Sequence, residues 1–101
     1  MSELQNRMIK QLKKDGWRLH GNASYDRQEL LIKAALALYF AAGGKADALA
    51  SPVAAATASS APIDTCIARL LAEVAAVSRA HDLDMGQAAY NWLDSASSST
   101  N

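Results

Sequence analysis

The feature that most constrains the fold of this chain is a long segment that is apolar on every side. Residues 30–42 read LLIKAALALYFAA, and Lys33 is their only charged residue. Apolar and polar residues do not alternate, so the segment predicts a helix and not a half-buried strand. A helix that is apolar all round belongs at the centre of a bundle or in an interface between chains. Because 101 residues can hardly cover such a helix alone, we expect a homodimer.

Four helices are predicted along the chain. Periodic apolar residues and helix-ending glycines place them near 3–14, 25–42, 62–80 and 85–93. Residues 43–61 are expected to form an irregular connector with short helical turns, and residues 94–101 a disordered tail. Alanine supplies 22 residues and aromatic side chains 6 %, so the core should be thin. The sequence therefore predicts one all-α domain, 1–93, as a small Ala-rich bundle of about four helices completed by dimerisation.

Apolar residues three and four positions apart define the inward faces expected for the last two helices. Leu70 lies at the middle of the longer face and is expected in the core. Asp84, with Gln87 three residues later, predicts a capping box at the start of the last helix. The full faces are Ile63, Ile67, Leu70, Leu71, Val74 and Val77, and then Met85, Ala89, Trp92 and Leu93.

The charge balance and the single cysteine exclude several classes of protein. Ten basic residues balance ten acidic ones, which argues against direct binding of nucleic acid. One cysteine excludes an intrachain disulfide and a cysteine-only zinc site. No apolar run reaches the roughly 20 residues of a membrane span, and no signal peptide is recognisable at the N-terminus. A cytoplasmic protein without a membrane anchor is therefore expected.

Acidic side chains form the one pattern that suggests chemistry. Asp26 and Glu29 are three residues apart at the start of the second helix, so both project from one face. Asp64 stands in the first turn of the third helix. Carboxylates from two helices that share a common end can hold Mg²⁺, which takes oxygen ligands and promotes attack of water on a phosphate. The alternative is structural, because acids in a first turn cap a helix and interact favourably with its dipole.

Two long segments carry these acids within a larger pattern. The run KDGWRLHGNASYDRQELLIKAALALY has an acidic-Gly-Trp turn, a polar loop and an acidic helix start before an Ala-rich run with Tyr. In the run DTCIARLLAEVAAVSRAHDLDMGQAAYNWL, an acid opens a long helix and a Leu-Asp turn opens the last one. The pattern resembles the phage-encoded MazG-like dATP/dGTP pyrophosphohydrolases. The matching positions are Asp15, Gly16, Trp17, Asp26, Glu29, Leu30, Ala34, Ala35, Tyr39, Asp64, Leu83 and Asp84.

This resemblance implies a helical, Mg²⁺-dependent enzyme that releases pyrophosphate from a nucleoside triphosphate. Asp26, Glu29 and Asp64 would be its catalytic residues and metal ligands. The family pairs acids on two helices, and Ala61 stands here where the partner of Asp64 belongs. The resemblance therefore implies either a hydrolase or a degenerate relative that binds a nucleotide without hydrolysing it. The residues that would meet the triphosphate are Lys10, Lys13, Lys14 and Arg18.

A second class of function fits the same sequence. Small, neutral helical proteins of phages and mobile elements often act without catalysis, by covering a surface of a host protein. Anti-CRISPR proteins, which inhibit a host defence complex, are of this kind. The incomplete set of acids favours this class, whereas the acidic helix starts and the Gly-Trp turn favour the nucleotide hydrolase. The expected partner is accordingly a nucleotide or a host protein complex.

Overall fold

The computed structural model describes residues 2–14 and 23–99, and within these ranges the side chains of residues 2–14 and 27–96. The part of the chain that it describes contains no strand, which confirms the all-α class. A 3₁₀ turn, Ala46–Ala48, and a short α-helix, Ala50–Thr57, both lie in the predicted connector. The described part of the chain therefore contains five α-helices, where the sequence predicts about four. The α-helices are α1 (Ser2–Lys14), α2 (Ala23–Ala41), α3 (Ala50–Thr57), α4 (Ile63–Ala80) and α5 (Met85–Ser99).

The end of α2 is set by the glycine pair predicted to stop it. The amide of Gly44 donates to the carbonyl of Tyr39 at 2.9 Å, and the amide of Gly43 donates to Phe40 at 3.0 Å. These two bonds form a Schellman motif, which needs a left-handed residue just beyond the helix. Gly43 supplies it with φ +102°, a conformation open to glycine without steric cost.

The end of α4 has the same bonds around a residue that is not glycine. Leu83 donates to the carbonyl of Ser78 at 2.8 Å, and Asp82 donates to Arg79 at 3.1 Å. Asp82 is the left-handed residue here, with φ 56°. Aspartate enters this region more readily than most residues, although less easily than glycine. The turn sends the chain from α4 into α5 within four residues, 81–84.

The start of α5 is capped by Asp84, as predicted. Its Oδ1 accepts a hydrogen bond of 2.8 Å from the amide of Gln87, the third residue of the helix. The Gln87 side chain donates forward to Asn91 Oδ1 at 2.9 Å. Half of the predicted capping box is therefore present, and the glutamine amide supports the next turn.

The last helix is longer than the sequence predicts. It continues to Ser99, whereas the apolar pattern predicts an end at residue 93 and an unstructured segment from 94. Residues 94–99 contain no glycine or proline to end a helix, and alanine and serine both tolerate one. Arg7 of α1 also holds this part of α5, with its guanidinium 3.8 Å from Asp94 Oδ1. The predicted boundary of the tail is therefore wrong.

The main packing of the described residues is centred on α5, which contacts both α1 and α4. Leu93 is 3 % exposed and is the one buried apolar residue in this part of the chain. Gln11 of α1, which the apolar pattern did not select, is 5 % exposed. The guanidinium of Arg7 lies 5.3 Å from the ring centre of Tyr90, so a cation–π contact joins α1 to α5 beside the ion pair with Asp94.

The rest of the chain is open. The radius of gyration of the Cα atoms is 15.1 Å, whereas a compact chain of this length has a radius of about 13 Å. Within the described residues, α2 does not pack closely against any other helix. The prediction that Leu70 is buried in the core is wrong for the single chain, because 45 % of it is exposed. Of the face predicted for α5, Leu93 is buried and Ala89 half-buried, but Met85 and Trp92 are exposed.

Candidate interaction surface

The acidic residues expected to hold a metal are separately engaged where the structure describes them. Glu29 is exposed, and its Oε1 lies 3.4 Å from the ammonium of Lys33 one turn along α2. Asp64 is exposed, and its Oδ1 accepts the amide of Thr65 at 2.8 Å. This bond satisfies an otherwise unpaired donor of the first turn of α4, as the structural alternative predicts. The side chain of Asp26 lies outside the described residues.

A magnesium site is not assembled by the described side chains. Among them, no three His, Cys, Asp or Glu residues come together as a metal-binding group. Glu29 and Asp64 are the two members of the predicted metal site whose side chains are described. Since Asp26 could still add to either residue, the magnesium site remains a prediction.

The basic residues predicted to meet a triphosphate are only partly described. Lys10, Lys13 and Lys14 are exposed, and the last two occupy the final turn of α1. Cations at this end of a helix interact favourably with its dipole whether or not a ligand is present. Arg18 lies in the segment 15–22, outside the described residues. Binding of a triphosphate by these three lysines therefore stays a prediction.

The structure instead places apolar residues of α2 and α4 on the two sides of one open groove. A groove of about 490 Å³ lies between the C-terminal half of α2 and the middle and end of α4. Of the described residues that line it, Glu73 is the only charged one. The lining residues are Ala35, Leu38, Tyr39, Ala42, Gly43, Gly44, Leu70, Glu73, Val74 and Val77.

One end of the groove is shaped by Tyr39. Its hydroxyl donates to the carbonyl of Lys45 at 2.9 Å and accepts the amide of the same residue at 3.2 Å. The ring lies against Gly44, where any side chain would overlap it. Phe40 packs edge-on against Tyr39, with ring centres 5.2 Å apart. Tyr39 is thereby held by the turn that ends α2, and the glycine is needed for space.

Apolar exposure continues from the groove along both helices. Leu31 at the middle of α2 is 58 % exposed, and Ile67 of α4 is 56 % exposed. Ile63, the first residue of α4, is 80 % exposed. We call this surface, formed by the groove together with Leu31, Ile63 and Ile67, the α2–α4 face.

No described helix is long and apolar enough to cross a membrane.

Sequence reasoning found the two helices of this face but not the face itself. The apolar stripe of α4 and the all-round apolar α2 were both predicted, whereas their open arrangement was not. The sequence pattern predicts no role for Tyr39 in shaping a surface. The available signal is that Tyr39 lies five residues before Gly44. In a Schellman turn these two positions are joined by a backbone hydrogen bond, which brings the glycine next to the tyrosine.

Comparison of this chain with protein-family models, with curated proteins and with solved structures finds no match.

Proposed function

We propose that this chain is a non-enzymatic interaction protein whose α2–α4 face is covered by another polypeptide. The observation that carries the proposal is the exposure of large apolar side chains along both helices, among them Leu31, Ile67 and Leu70. Burial of apolar surface is worth about 25 cal/mol per Å², so an open face of this kind favours association. Contiguous apolar surface beyond a few hundred Å² is typical of interaction sites.

Two kinds of partner would use this face. A second copy of the chain gives the homodimer predicted from the sequence. A different protein, such as a host defence complex, gives the anti-CRISPR-like inhibitor. In both cases the chain acts by covering a surface, and it makes or breaks no covalent bond.

The proposal is tested by photo-crosslinking in the cells that express the protein. A benzophenone amino acid is placed at Ile67, on the α2–α4 face, and in a second variant at Ala72, an exposed residue of the same helix. Residue 72 is about 200° around the helix from Leu70, so it points away from the face. We expect a crosslink to a polypeptide, of either kind, at residue 67 and none at residue 72. Equal crosslinking at the two positions, or none at either, would refute the proposal.

The nucleotide hydrolase implied by the MazG-like resemblance is the competing function, and it has its own test. Purified protein is incubated with deoxynucleoside triphosphates and Mg²⁺, and pyrophosphate release is measured. Release that stops with EDTA and is nearly abolished by Asp64→Asn would contradict a non-enzymatic protein. A nucleotide that stabilises the fold against heat in Mg²⁺, without being cleaved, would instead identify a degenerate nucleotide-binding relative.

A further inference from the structure

We infer that the α2–α4 face binds a second copy of this chain, so that α2 and α4 of two copies form a four-helix bundle. The inference rests on the proposed interaction function and names its partner. It commits to one occupant because the spacing of the apolar residues, the area left open and the charge of the chain all point to a second copy.

The first argument is the spacing of the residues on this face. The α4 helix carries apolar residues at alternating steps of four and three, which is the repeat of helices that pack side by side at a shallow angle. The α2 helix is apolar on every side and presents the same steps on the side that lines the groove. In each helix the repeat includes residues that line the groove and extends beyond it toward the N-terminus. The residues are Leu31, Ala35, Leu38 and Ala42 in α2, and Ile63, Ile67, Leu70, Val74 and Val77 in α4.

These two stripes are complementary in size. The α2 stripe alternates leucine with alanine, so Ala35 and Ala42 leave depressions on either side of Leu38. The α4 stripe has larger side chains throughout, with Leu70 between Ile67 and Val74. Knobs-into-holes packing needs this kind of alternation between large and small residues across facing helices. Two copies related by a two-fold axis present both stripes to each other.

The second argument is area. The chain exposes 8154 Å², whereas a compact monomer of 10.7 kDa exposes about 5,500 Å². The excess, about 2,600 Å², exceeds the roughly 800 Å² that each partner buries in a standard interface. It also exceeds the roughly 1,000–2,500 Å² that each partner buries in many obligate homodimers, whose interfaces resemble a domain core cut in half. The α2–α4 face contributes to this excess, because Leu31, Ile67 and Leu70 are each about half exposed, and a second copy would bury these side chains.

The third argument is charge. The formal net charge of the chain is zero, so two copies meet without overall repulsion. Within the groove, Glu73 is the one charged residue among the described lining residues, and it adjoins Leu70 and Val74. A strongly charged target would be expected to face a groove of opposite charge, which the lining does not provide. A neutral and apolar surface matches this one best, and a second copy supplies it.

The inference is tested by measuring the mass of the full chain in solution over a range of concentrations. Light scattering after size-exclusion chromatography should give twice the monomer mass of 10.7 kDa for the wild type. Leu70→Glu should weaken the dimer at least about 100-fold, because it buries an unpaired charge in the bundle. Ala72→Glu adds the same charge to the same helix on the opposite side, and it should leave the dimer unchanged. Circular dichroism checks that each variant keeps its helices.

Each outcome has a defined meaning. A wild type that stays monomeric at high micromolar concentration overturns the inference, as does equal weakening by the two glutamate variants. If Leu70→Glu does not fold, Leu31→Glu at the exposed middle of α2 provides the same test from the other helix. A monomer that still crosslinks through residue 67 to a different protein would refute the second copy while preserving the proposed interaction function. A dimer without any crosslink at residue 67 would place the interface on another face and overturn the inference.

Discussion

The turns that end α2 and α4 each need a residue with positive φ, which glycine adopts easily and aspartate less easily. Gly43 and Asp82 are both left-handed, at φ +102° and φ 56°. Gly43→Ala is expected to lower the free energy of unfolding by about 1 kcal/mol, because a Cβ disfavours this conformation. Asp82→Gly is expected to raise it by up to about 1 kcal/mol for the converse reason. Chemical denaturation of the two variants measures both changes, and a loss of stability in each would show that the left-handed turn at Asp82 is not strained.

Tyr39 gives the second prediction at this scale. Tyr39→Phe keeps the ring but removes both hydrogen bonds to Lys45, and we expect a loss of about 1 kcal/mol. Gly44→Ala should be more damaging, because the added methyl group would overlap the Tyr39 ring and displace it from the groove. The fluorescence of the protein and its thermal melting report on the two effects. Gly44→Ala without any change in stability would contradict the close approach of ring and backbone.

At the scale of the helices, Leu93 is expected to decide whether α5 stays packed against its neighbours. It is the buried apolar residue of α5, the helix that contacts both α1 and α4, so Leu93→Ala should lower the free energy of unfolding by about 2–5 kcal/mol. Leu83→Ala, the same substitution at an exposed position in the α4–α5 turn, serves as the control and should change it little. Urea titration of both variants provides the comparison. Similar losses at residues 83 and 93 would show that the burial of Leu93 does not contribute specifically.

The helices themselves could be predicted because their signals are local. The α4 stripe, the glycine stop of α2 and the Asp84 cap each depend on neighbours within one or two turns. The end of α5 was missed because the apolar pattern stops at Leu93, whereas the helix continues through residues 94–99, which are polar or small and carry no apolar pattern of their own. The groove could not be predicted either, since periodicity shows which residues share a face but not which helix lies opposite.

At the scale of the whole molecule, the exposed surface of 8154 Å² is large in part because α2, which is apolar on every side, is left uncovered. Among the described residues, no other helix packs closely against α2, which is 19 residues long. The packing around α5 uses Leu93 and the half-buried stripe of α1, namely Leu4, Met8, Ile9 and Leu12. The stripe of α4 stays open beside α2. The enclosure of α2 is therefore expected to come from outside the chain.

Thermal unfolding at several protein concentrations tests this expectation without separating the species by size. When folding and association are coupled, the partner subunit stabilises the native state by mass action, so Tm rises with protein concentration. We expect such a rise for the wild type and for Ala72→Glu. Leu70→Glu should show a lower Tm that does not depend on concentration, because the bundle between copies no longer forms. A wild-type Tm that stays constant over the same range would mean that the chain is stable with its α2–α4 face open to water.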